Sequence, residues 1–433
     1  MSATMSHLNL GNILDPREND EATGFSFHIL GGAFVLILSY TLSISIYNLY
    51  FHPLASYKGP FLARSTLIWR IWHSLHGRIH IAIDEAHKKY GPVFRVSPNE
   101  LSFASVNSWK DIYGHAIGQQ KTLVKSEFYD MYGSGFKSLC IGSERDPQRH
   151  RKMKQSLSAA FATKALRDQE LEVAEHVDLF VQKLGEKGRS GGLNMTKWRL
   201  ASKPIRKDFM TALVGKVESG EIEKEEATAH ASTLVIAGGE TVATFLAATT
   251  YFLLRPENLA VWERLCQEIR GRFTSYEEIT ATSAQQLPYL QAVISEGLRI
   301  YPPGSQGFPR ISPGTHIDGH WVPQGAEVYT SAYTVTHDDK YFPDPYVFQP
   351  ERWLESQSAN VKEASQPFSL GPRGCLGQNF AMMEINQILA KMIFKYDWKH
   401  INTEVDWLGE SHCHIMWWKP ELQVEFHERK STL

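Results

Sequence analysis

The ten residues Phe368-Ser369-Leu370-Gly371-Pro372-Arg373-Gly374-Cys375-Leu376-Gly377 constrain this chain more than any other stretch. Three glycines and a proline forbid regular structure across them. The residues from Gln378 onward are largely apolar and helix-forming, so the loop presents Cys375 at the start of a helix. Amides at a helix start, with the positive end of the helix dipole, stabilise a sulfur anion. Arg373 adds a cation expected to lower the thiol pKa further, which would favour a thiolate at Cys375. Gly371 and Gly374 are expected to form a tight turn, and Gly377 to let the helix pass close to a flat ligand. A single cysteine in such a place is more often buried and inert, so the rest of the sequence must decide.

A chain of 433 residues, 42% of them hydrophobic, is long enough for one large core or two smaller ones. The net charge of −2 carries no basic surplus for nucleic acid. Cys140, Cys266, Cys375 and Cys413 are too few and too scattered for a disulfide framework, and no C-x-x-C pair suggests structural zinc, which fits a reducing compartment. His412-Cys413-His414 is the tight grouping among the eighteen histidines. Strand alternation would put both imidazoles on one face, but a third ligand at suitable spacing is missing.

Residues 1–24 form an N-terminal flank. Between Glu21 and Lys58 there is no Asp, Glu, Lys or Arg. Residues 25–50 read as a transmembrane anchor, since a span needs about 20 apolar residues and a signal-peptide core is shorter. Asp15, Glu18, Asp20 and Glu21 precede the segment, and Lys58, Arg64 and Arg70 follow it. That bias places the bulk of the chain on the cytosolic side. Tyr47, Tyr50 and Phe51 suit an aromatic belt; a buried core helix is the alternative. Residues 51–60 form a linker, with Pro53 and Gly59-Pro60 as helix breakers.

Downstream, residues 78–90 read as a helix closed by Gly91-Pro92, and Val93 to Val96 with Glu100 to Phe103 as a hairpin. Helices are expected from about Pro147, over 170–184 and over 258–273, with a break at Gly191-Gly192. Residues 228–254 are apolar on every face, which suggests a helix threaded through the centre of the domain. A helix over 288–300 is bounded by Pro288 and Pro302-Pro303, Asp318-Gly319 reads as a type I′ turn, and the helix after Cys375 runs to about Lys395.

Phe368, Gly371, Arg373, Cys375 and Gly377 match all five fixed positions of Phe-x-x-Gly-x-Arg-x-Cys-x-Gly, the haem-binding signature of the cytochrome P-450 family, which this chain resembles. The lead-in Tyr47-Asn48-Leu49-Tyr50-Phe51-His52-Pro53-Leu54 is similar to that of fungal membrane-bound members. The resemblance implies a mostly α (α+β) fold, with residues 61–428 forming a helical haem domain carrying small β-sheets. It implies haem, an iron protoporphyrin IX, held by the axial thiolate of Cys375, and a monooxygenase acting on an apolar small molecule with dioxygen. It further implies an NADPH-cytochrome P-450 reductase as electron source and a single-pass location in the endoplasmic reticulum membrane. Likeness to the fungal secondary-metabolism members suggests terpenoid or polyketide tailoring, including mycotoxin routes.

Further motifs bear on this. Ala237-Gly238-Gly239-Glu240-Thr241 lies within the long central helix, where two glycines cost about 2 kcal/mol relative to alanine. The space they leave and a local opening of the helix could admit dioxygen and a water. The family places its acid–alcohol pair here, so Glu240 and Thr241 become candidate proton-relay residues; a threonine bonding back to its own helix is the alternative. Glu296 and Arg299 are three apart on an apolar helix, and Arg352 in Phe348-Gln349-Pro350-Glu351-Arg352-Trp353 resembles the third member of the family's buried structural triad. The two haem propionates need cations, for which Arg373, Arg310, His150 and Lys154 are the candidates. Where Lys154 stands the family commonly has Arg, which binds carboxylates bidentately; for His150 and Lys154 a solvated helix face is the alternative.

The resemblance fails in one interval. Residues 194–198 look like the start of the family's fifth major helix and 206–210 like a segment leading to the central one, with seven residues between. These span about 25 Å at most, enough to bridge but not to build the two helices that roof the substrate pocket in other members. The substrate-roof helices therefore look missing, through a real deletion, a misread gene or an alternative splice form. Weak substrate retention or wasteful reduction of oxygen to peroxide is the expectation, and in the extreme a haem-binding protein without productive turnover.

Overall fold

The computed structural model describes residues 16–116, 122–133, 135–189, 191–197, 209–354 and 360–429. The interval between Trp198 and Asp208 lies outside them, so the expected loss of roof helices falls on residues not described.

The helices, in chain order, are α1 Pro16–Tyr50, α2 Phe61–Ser65, α3 Ile68–Leu75, α4 Ile79–Tyr90, α5 Val106–Tyr113, α6 Pro147–Ser158, α7 Thr163–Lys187, α8 Phe209–Glu218, α9 Lys224–Leu253, α10 Leu259–Arg272, α11 Ala281–Gln285, α12 Pro288–Ile300, α13 Ala332–Thr336 and α14 Gln378–Lys395. Their limits follow local chemistry. Asp146 caps α6 by accepting from the amides of Gln148 and Arg149, with Pro147 at the first helical position. Gly91 ends α4 at a φ of 102°.

Short strands complete the fold: β1 Val93–Ser97, β2 Glu100–Phe103, β3 Val124–Lys125, β4 Leu193–Asn194, β5 Arg310–Ile311, β6 Thr315–Ile317, β7 His320–Val322, β8 Glu327–Thr330, β9 Tyr396–His400, β10 His412–His414, β11 Met416–Trp418 and β12 Gln423–Glu428. One sheet has the order β1-β2-β8-β5-β3, in which β2 and β8 run parallel and the other pairs antiparallel. The order β4-β12-β9 makes a second sheet, and β6-β7 and β10-β11 are separate hairpins. The expected type I′ turn is present, since Asp318 and Gly319 adopt φ of 48° and 77°.

The main core joins α7, α10, α12 and α14 to the second half of α9, with Val177, Phe245, Leu265, Val293 and Ile388 among its buried members. The reading of α9 as central on every face needs correction. Residues 242–253 are mostly buried, but Val235 and Ile236 are 64% and 61% exposed, because nothing among the described residues packs over that stretch.

At the other end, Leu30–Tyr50 of α1 is long and apolar enough to cross a membrane, by length and composition. The helix foot is tied to the domain. Asn48 donates to the Ser65 carbonyl at 2.9 Å, and buried Arg95 donates to the Asn48 carbonyl at 2.7 Å.

The cysteine loop and its cationic surroundings

Gly371 adopts a φ of 66°, and a Cβ there would stand 2.2 Å from the Tyr113 carbonyl oxygen, so the turn requires glycine. Gly374 does not share that need, with φ −59°. The loop closes on itself: the Gly374 amide donates to the Gly371 carbonyl at 3.0 Å, and the Cys375 amide to the Phe368 carbonyl at 2.8 Å. Phe368 packs against the main core, and Leu376 against Leu157, Leu213 and Ala227 of α6, α8 and α9. Cys375 thus sits between anchored neighbours with its own side chain exposed. A Cβ on Gly377, Gly238 or Gly239 would meet nothing within 4 Å, so these glycines open onto unfilled space.

The expected influence of Arg373 on the thiol is corrected by its direction. Its guanidinium donates to the carbonyls of Glu144 and Arg145 at 2.8 and 2.7 Å, away from the sulfur. Surrounding protein raises the Cys375 thiol pKa overall, while the Gly377 amide and the Lys154 ammonium pull it down. Lys154 donates to the Pro372 carbonyl at 2.8 Å and is 3.4 Å from that of Gly374. Lys154 is therefore a brace of the cysteine loop, and its face of α6 is not merely solvated.

A cavity of about 550 Å³ is bounded by α5, α6, Gly371 and Arg373, and is lined by His150, Lys154 and Arg310. It stops short of Cys375 and Thr241. The four proposed cations do converge on it. Buried Arg310 donates to the Tyr129 hydroxyl at 2.5 Å and to the Pro309 carbonyl at 3.0 Å.

A fifth base, missed in the sequence, is Lys125 on β3, whose register partner on β5 is Arg310. Its ammonium donates to the carbonyls of Ile141 and Gly142 at 2.8 and 2.6 Å. Burial, with Arg373 and Arg310, pushes its pKa down to about 6. Burial, with Arg373, Lys125, Lys154 and Arg310, pushes His150 down to about 3, and burial and Arg310 push Arg373 to about 10. Glu144 opposes these effects at Lys125, and Glu144 and Asp146 oppose them at Arg373.

On α9, the Thr241 hydroxyl donates back to the Ala237 carbonyl at 2.7 Å and the helix is uninterrupted. The expected local opening at Gly238-Gly239 is absent; what the glycines create is space outside the helix. Glu240 lies 3.4 Å from the Lys419 ammonium.

Glu296, Arg299 and Arg352 meet as expected, fully buried. Arg299 grips both Glu296 oxygens at 2.8 Å, and Arg352 reaches Oε1 at 3.2 Å. The Trp353 indole and the Gln349 amide add bonds at 2.9 Å each. Leu298, next to Arg299 on α12, lines a small void with Gln366 and Pro367 of the chain entering the cysteine loop. His412 and His414 stack on one strand face, and each bonds a backbone carbonyl, of His76 and Ser74. No metal-holding cluster of His, Cys, Asp or Glu occurs among the described residues.

The sequence profile of the family described as Cytochrome P450 matches residues 193–426. The chain belongs to the cytochrome P450 family. It is 52% identical over 473 positions to Cytochrome P450 monooxygenase ORF9 of Penicillium roqueforti, covering 90% of this chain and 92% of that one. It is 43% identical to Cytochrome P450 monooxygenase BOT4 of Botryotinia fuckeliana (92% and 90% covered) and 36% to Cytochrome P450 monooxygenase poxC of Penicillium oxalicum (91% and 93%). Since 90% of 433 residues is about 390, about 80 of the 473 aligned positions in the first relative have no counterpart here.

Membership makes this P450 a haem-thiolate oxidoreductase of the monooxygenase type, with a mostly helical fold and small sheets. The residues present fit the cofactor. Arg310, Arg373 and Lys154 line one cavity against the cysteine loop and are donors of the kind that the two propionates of haem need. The open flanks of Gly377, Gly238 and Gly239 leave room for a flat ring.

Proposed function

We propose that this P450 inserts one oxygen atom of dioxygen into an apolar small molecule of fungal secondary metabolism, of the terpenoid or polyketide class. Cys375 is the axial thiolate in this reading, and Arg310, Arg373, Lys125, His150 and Lys154 hold or surround the propionates. The observation that carries it is the convergence of Arg310, Arg373, His150 and Lys154 on one cavity against the loop that presents Cys375.

Haem, when bound, supplies the site of oxygen activation, with the thiolate donating electron density. The chain supplies the rest. Gly371 fixes the turn, the Gly377 amide and Lys154 stabilise the thiolate, and Glu240 and Thr241 offer the carboxylate and hydroxyl through which protons reach reduced dioxygen.

A reductase in the endoplasmic reticulum membrane is the electron source in this proposal. Support for a membrane setting comes from α1 and from Phe61, Ile68, Ile71, Trp72 and Leu75, all exposed on α2 and α3 just beyond it.

The test is reconstitution of the holoenzyme with NADPH and reductase. Product formation with a thiolate-type carbon monoxide spectrum supports the reading, and its loss in Cys375→Ala supports the ligand. A second reading, haem binding with little productive turnover, is favoured by the exposure of Val235 and Ile236 and by the aligned positions lacking here. Electrons consumed without matching product would select it.

A further inference from the structure

Lys419 belongs to no motif. It follows β11 in the C-terminal hairpin, yet its side chain is 5% exposed. A lysine is rarely buried to that degree without partners. Its ammonium donates to the Thr244 hydroxyl at 2.9 Å and to the Trp417 carbonyl at 3.0 Å, and it stands 3.4 Å from Oε1 of Glu240. Glu240 and Thr244 are four apart and so share one face of α9. Lys419 reaches both from a separate element. Thr241 bonds instead within its own helix, to Ala237. The two groups assigned to proton transfer are therefore held differently, the alcohol by α9 and the acid by the hairpin.

We propose that Lys419 is a positioning residue that fixes the Glu240 carboxylate against α9, and so sets the direction from which protons reach reduced dioxygen. The inference rests on the monooxygenase reading. In that reaction a substrate C–H, one dioxygen, two electrons from the reductase and two protons give C–OH and one water. Both protons leave on the oxygen atom that becomes water. Hydrogen peroxide carries those two electrons and two protons already, so peroxide-driven turnover converts C–H and H2O2 to C–OH and water with no net proton supplied from outside. Loss of proton positioning should therefore separate the two routes.

The experiment compares full-chain holoenzyme of wild type, K419M, K419R, E240Q and K419M/E240Q. K419M should lower product per NADPH by about tenfold to a hundredfold, the scale of a misplaced catalytic group. Peroxide-driven product, haem content and the substrate-induced spectral shift should stay within about twofold. K419R should recover most of the loss. Equal falls by both routes, or no fall by either, overturn the proposal. Melting temperatures give a second readout: the double variant should lose no more than the larger single one, since both break one pair, and additive losses overturn the contact. A wild type that oxidises substrate by neither route overturns the monooxygenase reading and the inference with it.

Discussion

The Lys154 ammonium donates to the Pro372 carbonyl at 2.8 Å, tying α6 to the loop three residues ahead of Cys375. This contact makes Lys154 a brace for the loop and a cation for the sulfur together. Lys154→Met should raise the thiol pKa and loosen the turn. About 1 kcal/mol of stability should be lost, as for one partly exposed charged hydrogen bond. Part of the thiolate-type carbon monoxide band should convert to the thiol type, measured against Lys154→Arg, which keeps the charge.

Two cysteines near the C-terminus differ in surroundings, and this yields a direct discrimination. Cys413 is fully buried, 2.9 Å from the Ser305 hydroxyl, and burial raises its thiol pKa. Cys375 is exposed beside Gly377 and its open flank. Cys413→Ala should cost about 1 to 2 kcal/mol, mainly from a small cavity, and leave the haem spectrum intact. Cys375→Ala should abolish the thiolate spectrum at little cost in melting temperature of the apoprotein.

What the sequence disclosed here depended on how local the cause was. The hairpin at Asp318-Gly319, the end of α4 at Gly91 and the run of α12 from Pro288 all follow from a few adjacent residues. Glu296 and Arg299 could be paired because one helical turn joins them. Lys125 could not be found that way, since it matters only because β3 pairs with β5 and sets it opposite Arg310. Lys419 lies 179 residues from Glu240 and carries no motif. Arg373 was found by its place in the loop, but its direction depends on carbonyls at 144 and 145.

Lys125 gives a pH prediction with a definite sign. Its folded-state pKa of about 6 lies below its ordinary value of 10.5, so between these values the unfolded chain binds more protons. Stability of the apoprotein should therefore rise with pH across that window, the destabilisation being fully present below about 6. Lys125→Met should flatten the dependence in apoprotein melts. Because propionates would compensate the cations, haem-loaded wild type should show a weaker dependence, and Lys125→Met should bind haem about tenfold less tightly.

Glu296 accepts from Arg299, Arg352, Trp353 and the Gln349 amide at once. Glu296→Gln leaves two buried guanidiniums without their anion, which should cost about 3 to 5 kcal/mol. The loss should appear in denaturant midpoints and as haem release on mild warming. Unchanged midpoints would contradict a structural role for this knot.

Val235 and Ile236 turn apolar side chains outward on α9, in the same stretch as Gly238, Gly239 and Glu240. On the reading of poor turnover, wet apolar surface there would hold substrate weakly and would let water reach the site of oxygen reduction. Our reading assigns the cover to positions that the relatives hold and this chain lacks. Grafting the corresponding segment of the Penicillium roqueforti relative between Trp198 and Asp208 should bury both side chains, for about 1.5 to 3 kcal/mol each. The ratio of product to peroxide per NADPH should then rise severalfold, with tighter substrate-induced spectral shifts. A graft that folds and binds haem but leaves that ratio unchanged would show that the exposed stretch of α9 is not what limits coupling.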